Sequence, residues 1–272
     1  MTDTPPAPDR TPPAGTPWNP VWDLRVAAAF LTRLPLPLDH ARAGDTFSRC
    51  GWAFPVVGAG VGAAGGAVLW FSAGAGLGPE VSALLALAAM AVLTGALHED
   101  GLADMADGLG AHDREKRLAI MADSRLGTFG ALALIFSVGL RTAALASLSG
   151  PLAAAAALVA AGALSRAVTV PAMAMLPSAR AGGLADRAGR PAAGIALLAL
   201  ALGLAAAVAV LLPVATDMAS IGTVAAGLAA GLFMVWAMSA LLGGHTGDGL
   251  GAQQQVTETV LYICLALAEA QR

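Results

Sequence analysis

The feature that most constrains this chain is a series of apolar runs, most of them about as long as a transmembrane helix. A helix needs about 20 mostly apolar residues to cross the hydrocarbon core of a bilayer. Seven segments have this character, the last being the shortest: 52–71, 81–97, 126–148, 152–176, 192–212, 221–242 and 256–270. Only 12% of the residues are charged, against about 25% in a soluble domain. We therefore predict an all-α, polytopic bundle with about six to seven membrane segments and exclude a soluble globular enzyme.

The residues before the first run are predicted to lie outside the bilayer. Residues 1–20 contain seven prolines and no apolar stretch typical of a signal peptide, so we expect a disordered, soluble tail. Residues 21–38 have a helical apolar face interrupted by Arg25 and Arg33, which predicts an interfacial amphipathic helix that runs into a turn. A short polar link, 42–50, should follow. Residues 21–272 then form one integral-membrane domain.

Lys and Arg are distributed unevenly between the predicted loops. If the N-terminus is cytoplasmic, twelve of the fifteen basic residues fall in the inside segments 1–51, 98–125, 177–191 and 243–255. The outside links, 72–80, 149–151 and 213–220, contain none. The positive-inside rule therefore predicts that the polar motifs described below face the cytoplasm. A net charge of −3 without a long basic run argues against nucleic-acid binding.

An acidic cluster directly follows the second apolar run. Four acidic side chains lie within nine residues, namely Glu99, Asp100, Asp104 and Asp107. On a helix, Asp100, Asp104 and Asp107 share one face because they are spaced i, i+4 and i+7. Such carboxylates repel one another and raise each other's pKa, and no Lys or Arg lies between Arg49 and Arg114. We predict that the three aspartates bind Mg²⁺, whose preferred ligands are oxygens; a solvated helix end is the alternative.

The segment before the third apolar run contains a possible anion site. Asp123 or Ser124 is in position to cap a helix that begins near Gly127 and Thr128. The free N–H groups at such a helix start favour an anion, and Arg125 adds a guanidinium suited to phosphate. Ordinary capping with a positive-inside arginine is the equally good alternative.

The segment GGHTGDGLGA, residues 243–252, contains five glycines in nine residues. Glycine lets the backbone approach a ligand closely. Within and beyond this segment, His245 and Thr246 can donate hydrogen bonds, and Asp248 and Glu258 can bind a metal or accept a proton. No Gly-Lys-Ser/Thr is present, so it is not a P-loop; a flexible connection between spans is the alternative.

Arg166 interrupts the fourth apolar run. An arginine at this depth normally faces the bundle interior and pairs with a carboxylate or a ligand, the alternative being a side chain that reaches back to the interface. Arg180, followed by Gly182 and Gly183, is a weaker candidate for an anion contact. Carboxylates, a glycine-rich segment and several arginines on one side of the membrane are typical of phosphoryl transfer. The residues thus indicate a membrane enzyme that acts on a phosphate ester or anhydride.

Four motifs in this order resemble the cobalamin synthase family, the adenosylcobinamide-GDP ribazoletransferases. They are FLTRLPLP (30–37), HEDGLADMADG (98–108), IMADSRLGTFG (120–130) and GGHTGDGLGA (243–252). Ser165, Arg166 and Glu258 fall where the family has the same residues, whereas His245 stands where some members have Gln. The resemblance covers nearly the whole chain after residue 22.

The resemblance implies a multi-pass enzyme of the bacterial inner membrane with its active site facing the cytoplasm. It would join adenosylcobinamide-GDP to α-ribazole, or to α-ribazole 5′-phosphate, and release GMP, with Mg²⁺ assisting. Mg²⁺ would be held by Asp100, Asp104 and Asp107, with Asp248 as a further ligand. The candidates for catalysis are Asp104, Asp123, Asp248 and Glu258. The candidates for substrate binding are His98, Ser124, Arg125, Arg166, Gly244, Thr246 and Gly247.

Two other classes of membrane protein share some of these features. Residues 104–111 match the start of the CDP-alcohol phosphotransferase signature, Asp-x-x-Asp-Gly-x-x-Ala-Arg, but His112 replaces its arginine and the downstream aspartates do not follow. A transporter could also use acids within the membrane, yet no inverted repeat is visible. A homo-oligomer, or a complex with other cobamide-assembly enzymes, is compatible with the sequence.

Overall fold

The computed structural model describes residues 18–180, 182–183, 186 and 188–271 of the protein. Most of the predicted tail, residues 1–17, lies outside the described residues. The described part is built from α-helices, as the apolar runs predict. In chain order they are α1 (Pro20–Leu31), α2 (His40–Cys50), α3 (Phe54–Gly74), α4 (Pro79–Thr94), α5 (Leu97–Gly108), α6 (Arg114–Met121), α7 (Thr128–Ala146), α8 (Pro151–Ala167), α9 (Thr169–Met175), α10 (Ala193–Leu211), α11 (Asp217–Leu242) and α12 (Gly247–Glu269).

The N-terminal region contains two helices where one was predicted. Helix α1 begins at Pro20, where the Asn19 side chain accepts the Trp22 backbone N–H at 3.0 Å, and it ends before the predicted turn. The polar link predicted for 42–50 is wrong: this segment belongs to α2, because the Asp39 carboxylate caps its first turn. The buried Asp23 accepts hydrogen bonds from Arg49 at 3.0 Å and Trp52 at 3.2 Å, which ties α1 to the chain that enters α3.

Five helices of the described chain are long and apolar enough to cross a membrane. They are Thr46–Gly74, Thr128–Ala146, Pro151–Met175, Ala193–Leu211 and Met218–Leu242. A sixth span results if α4 and α5, which are bent by 92° at their junction, count as one. The seventh predicted segment is not among these spans. It lies in α12, whose first half carries several buried polar side chains.

Helix α8 lies at the centre of the bundle. Within the span Pro151–Met175, 83% of the most apolar window is buried. Gly58 and Gly62 of α3 allow this packing, because a Cβ atom at either position would overlap the backbone carbonyl oxygens of Gly162 and Leu158. This close contact through a glycine pair brings Ser165 and Arg166 of α8 into the protein interior.

The second predicted membrane segment, 81–97, is interrupted in the structure. Gly95 and Ala96 adopt left-handed backbone conformations, with φ angles of 66° and 55°. Two such residues in succession end α4 and turn the chain by 92° into α5. The Arg33 backbone N–H donates to the Leu93 carbonyl oxygen at 2.7 Å, so the segment after α1 packs against this turn. The predicted placement of residues 1–51 and 98–125 on the same side of the membrane requires α4 to cross it, so we treat α4 as the sixth membrane segment, and α5 follows it after the turn, at the membrane boundary.

Candidate active site

The site is formed where α5 crosses the start of α12. Gly101 of α5 and Gly251 of α12 meet at this crossing: a Cβ atom on Gly101 would lie 2.7 Å from the Asp248 carbonyl oxygen and 3.1 Å from the Gly251 Cα. Only glycine permits two helix backbones to approach this closely. The crossing therefore brings the acidic helix beside Asp248, a residue more than 140 positions away in the sequence.

The start of α12 is held by local caps and by a neighbouring loop. The Thr246 side chain accepts the Gly249 backbone N–H at 3.0 Å, so this hydroxyl serves as the N-cap of α12. The His245 backbone N–H donates to the Pro177 carbonyl oxygen at 2.8 Å, and the Ala179 N–H donates to the His245 carbonyl oxygen at 2.8 Å. A Cβ atom on Gly244 would overlap the Pro177 carbonyl oxygen. Gly244 thus positions the segment, while Thr246 and Gly247 line a cavity.

That cavity has a volume of about 180 Å³ and two chemically different walls. The polar wall comes from α5, α8, α12 and the loop after α9, and its side chains include His98, Asp100, Arg166, Arg180, Thr246 and Asp248. The apolar wall is aromatic and comes from the N-terminal region, with Phe30, Phe47 and Phe54 in mutual ring contact. Four of the predicted substrate-binding residues, His98, Arg166, Thr246 and Gly247, are brought together here.

The carboxylates at this crossing repel one another. Burial, together with Asp248, Asp100 and Asp107, raises the pKa of Asp104 to about 6, and Arg180 partly offsets this. Burial also raises the pKa of Asp248, with Arg180 opposing the shift and Asp100 adding to it. The Arg180 guanidinium stays close by because it donates to the Leu118 carbonyl oxygen at 2.8 Å. A cluster of acids facing few cations is the environment in which a divalent cation binds.

The donor chemistry fits Mg²⁺, although the structure contains no complete cage for it. Among the residues described, no three His, Cys, Asp or Glu side chains are arranged to hold a metal ion. Mg²⁺ usually needs only one or two carboxylates, because substrate phosphates and water complete its octahedral shell. Asp100 and Asp104, one turn apart on α5, can provide such a pair.

Asp107, the third predicted metal ligand, is engaged elsewhere. Its two carboxylate oxygens accept the backbone N–H groups of Gly127 at 2.7 Å and Gly130 at 2.8 Å. Asp107 therefore caps α7 from another helix, and the local cap predicted from Asp123 or Ser124 is wrong. An anion does lie at the start of α7, but it is the carboxylate of Asp107 and not a bound ligand.

Three predicted site residues lie away from the cavity. Asp123 and Arg125 form an exposed pair, with Arg125 Nε 3.0 Å from an Asp123 carboxylate oxygen, and this pair lowers the pKa of Asp123. Ser124 between them is also exposed. None of the three is among the described residues that line the cavity.

Arg166 and Glu258 meet in the bundle interior. Arg166 Nη1 lies 3.3 Å from Glu258 Oε1, and Arg166 is 2% exposed, so the predicted pairing with a carboxylate is confirmed. Glu258 is also paired with Arg141, at 3.3 Å. It is not among the described residues that line the cavity, in contrast to Arg166.

The sequence interpretation missed the side chains that connect these groups. Gln253, Gln254 and Gln255 are fully or almost fully buried in α12. Gln254 donates to Ser165 at 3.0 Å, and Gln255 donates to Glu99 at 2.9 Å. Three consecutive glutamines beside an apolar segment could have indicated a buried hydrogen-bond network, because buried amides need hydrogen-bond partners.

The fold and this site define an integral-membrane helical protein with a carboxylate- and arginine-lined cavity at one end of its bundle. The chain belongs to the cobalamin-5-phosphate synthase family, whose model matches residues 23–266. This membership favours the family resemblance over the CDP-alcohol phosphotransferase and transporter alternatives.

Curated relatives match almost the full chain. The adenosylcobinamide-GDP ribazoletransferase of Bradyrhizobium diazoefficiens is 43% identical over 249 residues, which cover 91% of this chain and 94% of the relative. The proteins of the same name from Allorhizobium ampelinum and Brucella anthropi are 42% and 43% identical, covering 90% and 88% of this chain and 96% and 94% of the relatives. No solved structure matches the chain.

Proposed function

We propose that this protein is an Mg²⁺-dependent adenosylcobinamide-GDP ribazoletransferase whose reaction takes place at the α5–α12 crossing. Its family and its relatives support the nucleotide-loop assembly step of cobalamin biosynthesis. The observation that carries the assignment of the site is the crossing itself, which sets Asp100 and Asp104 against Asp248 beside Arg166 and Arg180.

The reaction is a substitution at phosphorus. A ribose hydroxyl of α-ribazole, or of α-ribazole 5′-phosphate, attacks the phosphorus atom that bears the cobinamide. The bond from this phosphorus to the bridging oxygen breaks, and GMP leaves with that oxygen. The hydroxyl proton passes to a base. The new phosphodiester joins cobinamide to the ribazole, so the corrinoid is both substrate and product.

Asp100 and Asp104 would hold Mg²⁺, which neutralises charge on the pyrophosphate oxygens when bound. Asp248 is the base that the geometry favours among the candidates. It lines the cavity, and its raised pKa brings it closer to the working pH, where a general base is most effective. Asp123 is paired on the surface, and Glu258 is paired with two arginines.

The cations and the backbone would bind the substrate's phosphates. Arg166 and Arg180 line the cavity, and their guanidinium groups match phosphate oxygens in charge and shape. Gly247, at the start of α12, has no atom of the described residues within 4 Å of its Cβ position, which supports access of a ligand to the backbone there.

We further propose that the site faces the cytoplasm from the bacterial inner membrane. The proposal is supported by the placement of twelve of fifteen basic residues in the segments on the same side as the polar motifs.

The experiment uses purified full-length protein in lipid with adenosylcobinamide-GDP and α-ribazole, with and without Mg²⁺. Mass spectrometry should detect a cobamide and GMP only when Mg²⁺ is present. Asp104→Asn should abolish turnover while the protein still inserts into the membrane. The control is Glu80→Gln, which should remain active because Glu80 is an exposed acid in the first turn of α4, at the end that is remote from α5. Intact substrates under all conditions would refute the proposed reaction, and normal turnover of Asp104→Asn would refute the metal assignment.

A further inference from the structure

Two buried arginines share one buried carboxylate next to the cavity. Arg141 Nη1 and Arg166 Nη1 each lie 3.3 Å from an oxygen of Glu258. The three residues are only 3%, 2% and 1% exposed. Burying an ion is costly unless it is paired, so Arg166 depends on Glu258 for its presence at this depth, and Arg141 depends on Glu258 together with Glu99, whose carboxylate lies 3.8 Å away.

Arg166 is the member of this group that reaches the cavity. Its Nη1 donates to Glu258 and to the Gly162 carbonyl oxygen, at 3.3 and 3.2 Å. Its Nε is buried and has no hydrogen-bond partner in the described part of the chain. Arg166 itself lines the cavity, so its guanidinium is the cation of this group that can contact a phosphate, whose oxygens are anionic acceptors.

We propose that Glu258 is a positioning residue that fixes the guanidinium of Arg166 for the substrate's pyrophosphate and takes no part in proton transfer. This inference rests on the proposed function. Glu258 is not among the described residues that line the cavity, and both of its oxygens are held by arginines. Arg141 shares the Glu258 carboxylate and also lies 3.8 Å from a carboxylate oxygen of Glu99, so Glu258 is not dedicated to Arg166 and the guanidinium of Arg166 can still interact with an anion.

A hydrogen-bond chain extends this positioning to the acidic helix. Ser165 Oγ lies 3.4 Å from Glu258 Oε1 and accepts from Gln254 at 3.0 Å. Gln255 donates to Gln254 at 3.1 Å and to Glu99 at 2.9 Å. Glu99 directly precedes Asp100, so the chain links Arg166 on α8 to the carboxylates of α5 through α12. The distance between the cation and the acids is thereby set by the bundle interior.

The test compares the steady-state kinetics of Glu258→Gln and Glu258→Asp in lipid, with each substrate varied separately. Removing a side chain that orients a metal ligand typically costs about 10- to 100-fold in affinity or activity, and Glu258 orients Arg166 in a comparable way. For Glu258→Gln we expect the KM for adenosylcobinamide-GDP to rise by about that factor. The KM for unphosphorylated α-ribazole and the pH profile of kcat should be unchanged. Glu258→Asp, which keeps the charge, should lie between Glu258→Gln and the wild type.

Asp23→Asn is the matched control, because Asp23 is a fully buried carboxylate paired with an arginine away from the acidic crossing. It should leave the KM for adenosylcobinamide-GDP at the wild-type value, and size-exclusion profiles in detergent show which variants are folded. If Glu258→Gln does not fold, the inference is tested with Glu258→Asp, by comparing its KM for adenosylcobinamide-GDP with that of the wild type.

Three results would overturn the inference. The first is a large loss of kcat with loss of the acidic limb of its pH profile, which identifies a general base. The second is a normal KM for adenosylcobinamide-GDP in both Glu258 variants. The third is an equal rise of this KM in Asp23→Asn, which indicates a general packing effect. Absence of turnover in the wild type, in contrast, refutes the proposed function itself.

Discussion

Gly101→Ala tests whether the α5–α12 crossing creates the active site. The added Cβ atom would lie 2.7 Å from the Asp248 carbonyl oxygen, 3.0 Å from the Asp248 Cα and 3.1 Å from the Gly251 Cα. All three neighbours are backbone atoms of α12, so no flexible side chain can move aside. The two helices must separate instead, and Asp248 must move away from Asp100 and Asp104.

The size of the effect follows from these distances. Ordinary van der Waals contact begins near 3.4 Å, so the crossing has to open by 3.4 − 2.7 = 0.7 Å at the closest atom. Overpacking of this kind costs about 1–3 kcal/mol of stability. A misplacement of about 1 Å in a catalytic arrangement can cost about 10²-fold in rate. For 0.7 Å we expect kcat/KM to fall by about tenfold or more.

The assay measures turnover by mass spectrometry and the midpoint of thermal unfolding in detergent. Gly60→Ala is the matched control, since Gly60 lies inside α3 and no atom in the described part of the chain is within 4 Å of its Cβ position. It should retain full activity, with stability equal to the wild type or up to about 1 kcal/mol higher, because alanine favours helix. Wild-type activity and stability in Gly101→Ala would refute the assignment of the site to this crossing.

Three further perturbations address the cap, the acids and the turn. Asp107→Asn should destabilise the protein by about 1–3 kcal/mol, because two N–H groups at the start of α7 lose a charged acceptor. The Mg²⁺ concentration for half-maximal turnover should shift only slightly, since Asp107 influences Asp104 through its charge alone. Since the pKa of Asp104 is raised to about 6, its carboxylate is protonated below that pH, and the Mg²⁺ requirement should increase as the pH falls from 7 to 5. Ala96→Gly should raise the unfolding midpoint by an amount equivalent to up to about 1 kcal/mol, because glycine adopts the φ of 55° without strain.

Each of these has a contradicting result. An increase in the Mg²⁺ requirement of Asp107→Asn as large as that of Asp100→Asn would make Asp107 a metal ligand rather than only a cap. A Mg²⁺ requirement that is constant between pH 7 and 5 would exclude Asp104 from the metal site. A lower unfolding midpoint in Ala96→Gly would mean that the alanine methyl group contributes packing that outweighs its backbone strain. In all three experiments the wild type under the same conditions is the control.

Much of the site was predictable because its residues are unusual for their surroundings. Charged and glycine-rich motifs are conspicuous in a chain with 12% charged residues, and they distinguish Asp100, Asp104, Asp248 and Arg166 from the apolar segments around them. Asp123, Ser124 and Arg125 were selected for the same reason, yet they lie on the surface. Local sequence reveals the chemistry of a side chain but not whether the fold directs it into a cavity.

The sequence by itself determined the helical membrane architecture, because hydrocarbon admits only long apolar helices with satisfied backbone groups. It also contains the Gly58 and Gly62 spacing that permits close helix packing, whereas the partner, α8, is known only from the structure. Only the tertiary structure decided which distant groups meet: Asp107 with the start of α7, and Glu258 with two arginines. These pairings depend on the 92° turn after α4 and on the crossing of α5 with α12. Contacts between residues far apart in the chain follow from how helices pack, and hydrophobic periodicity carries no information about that.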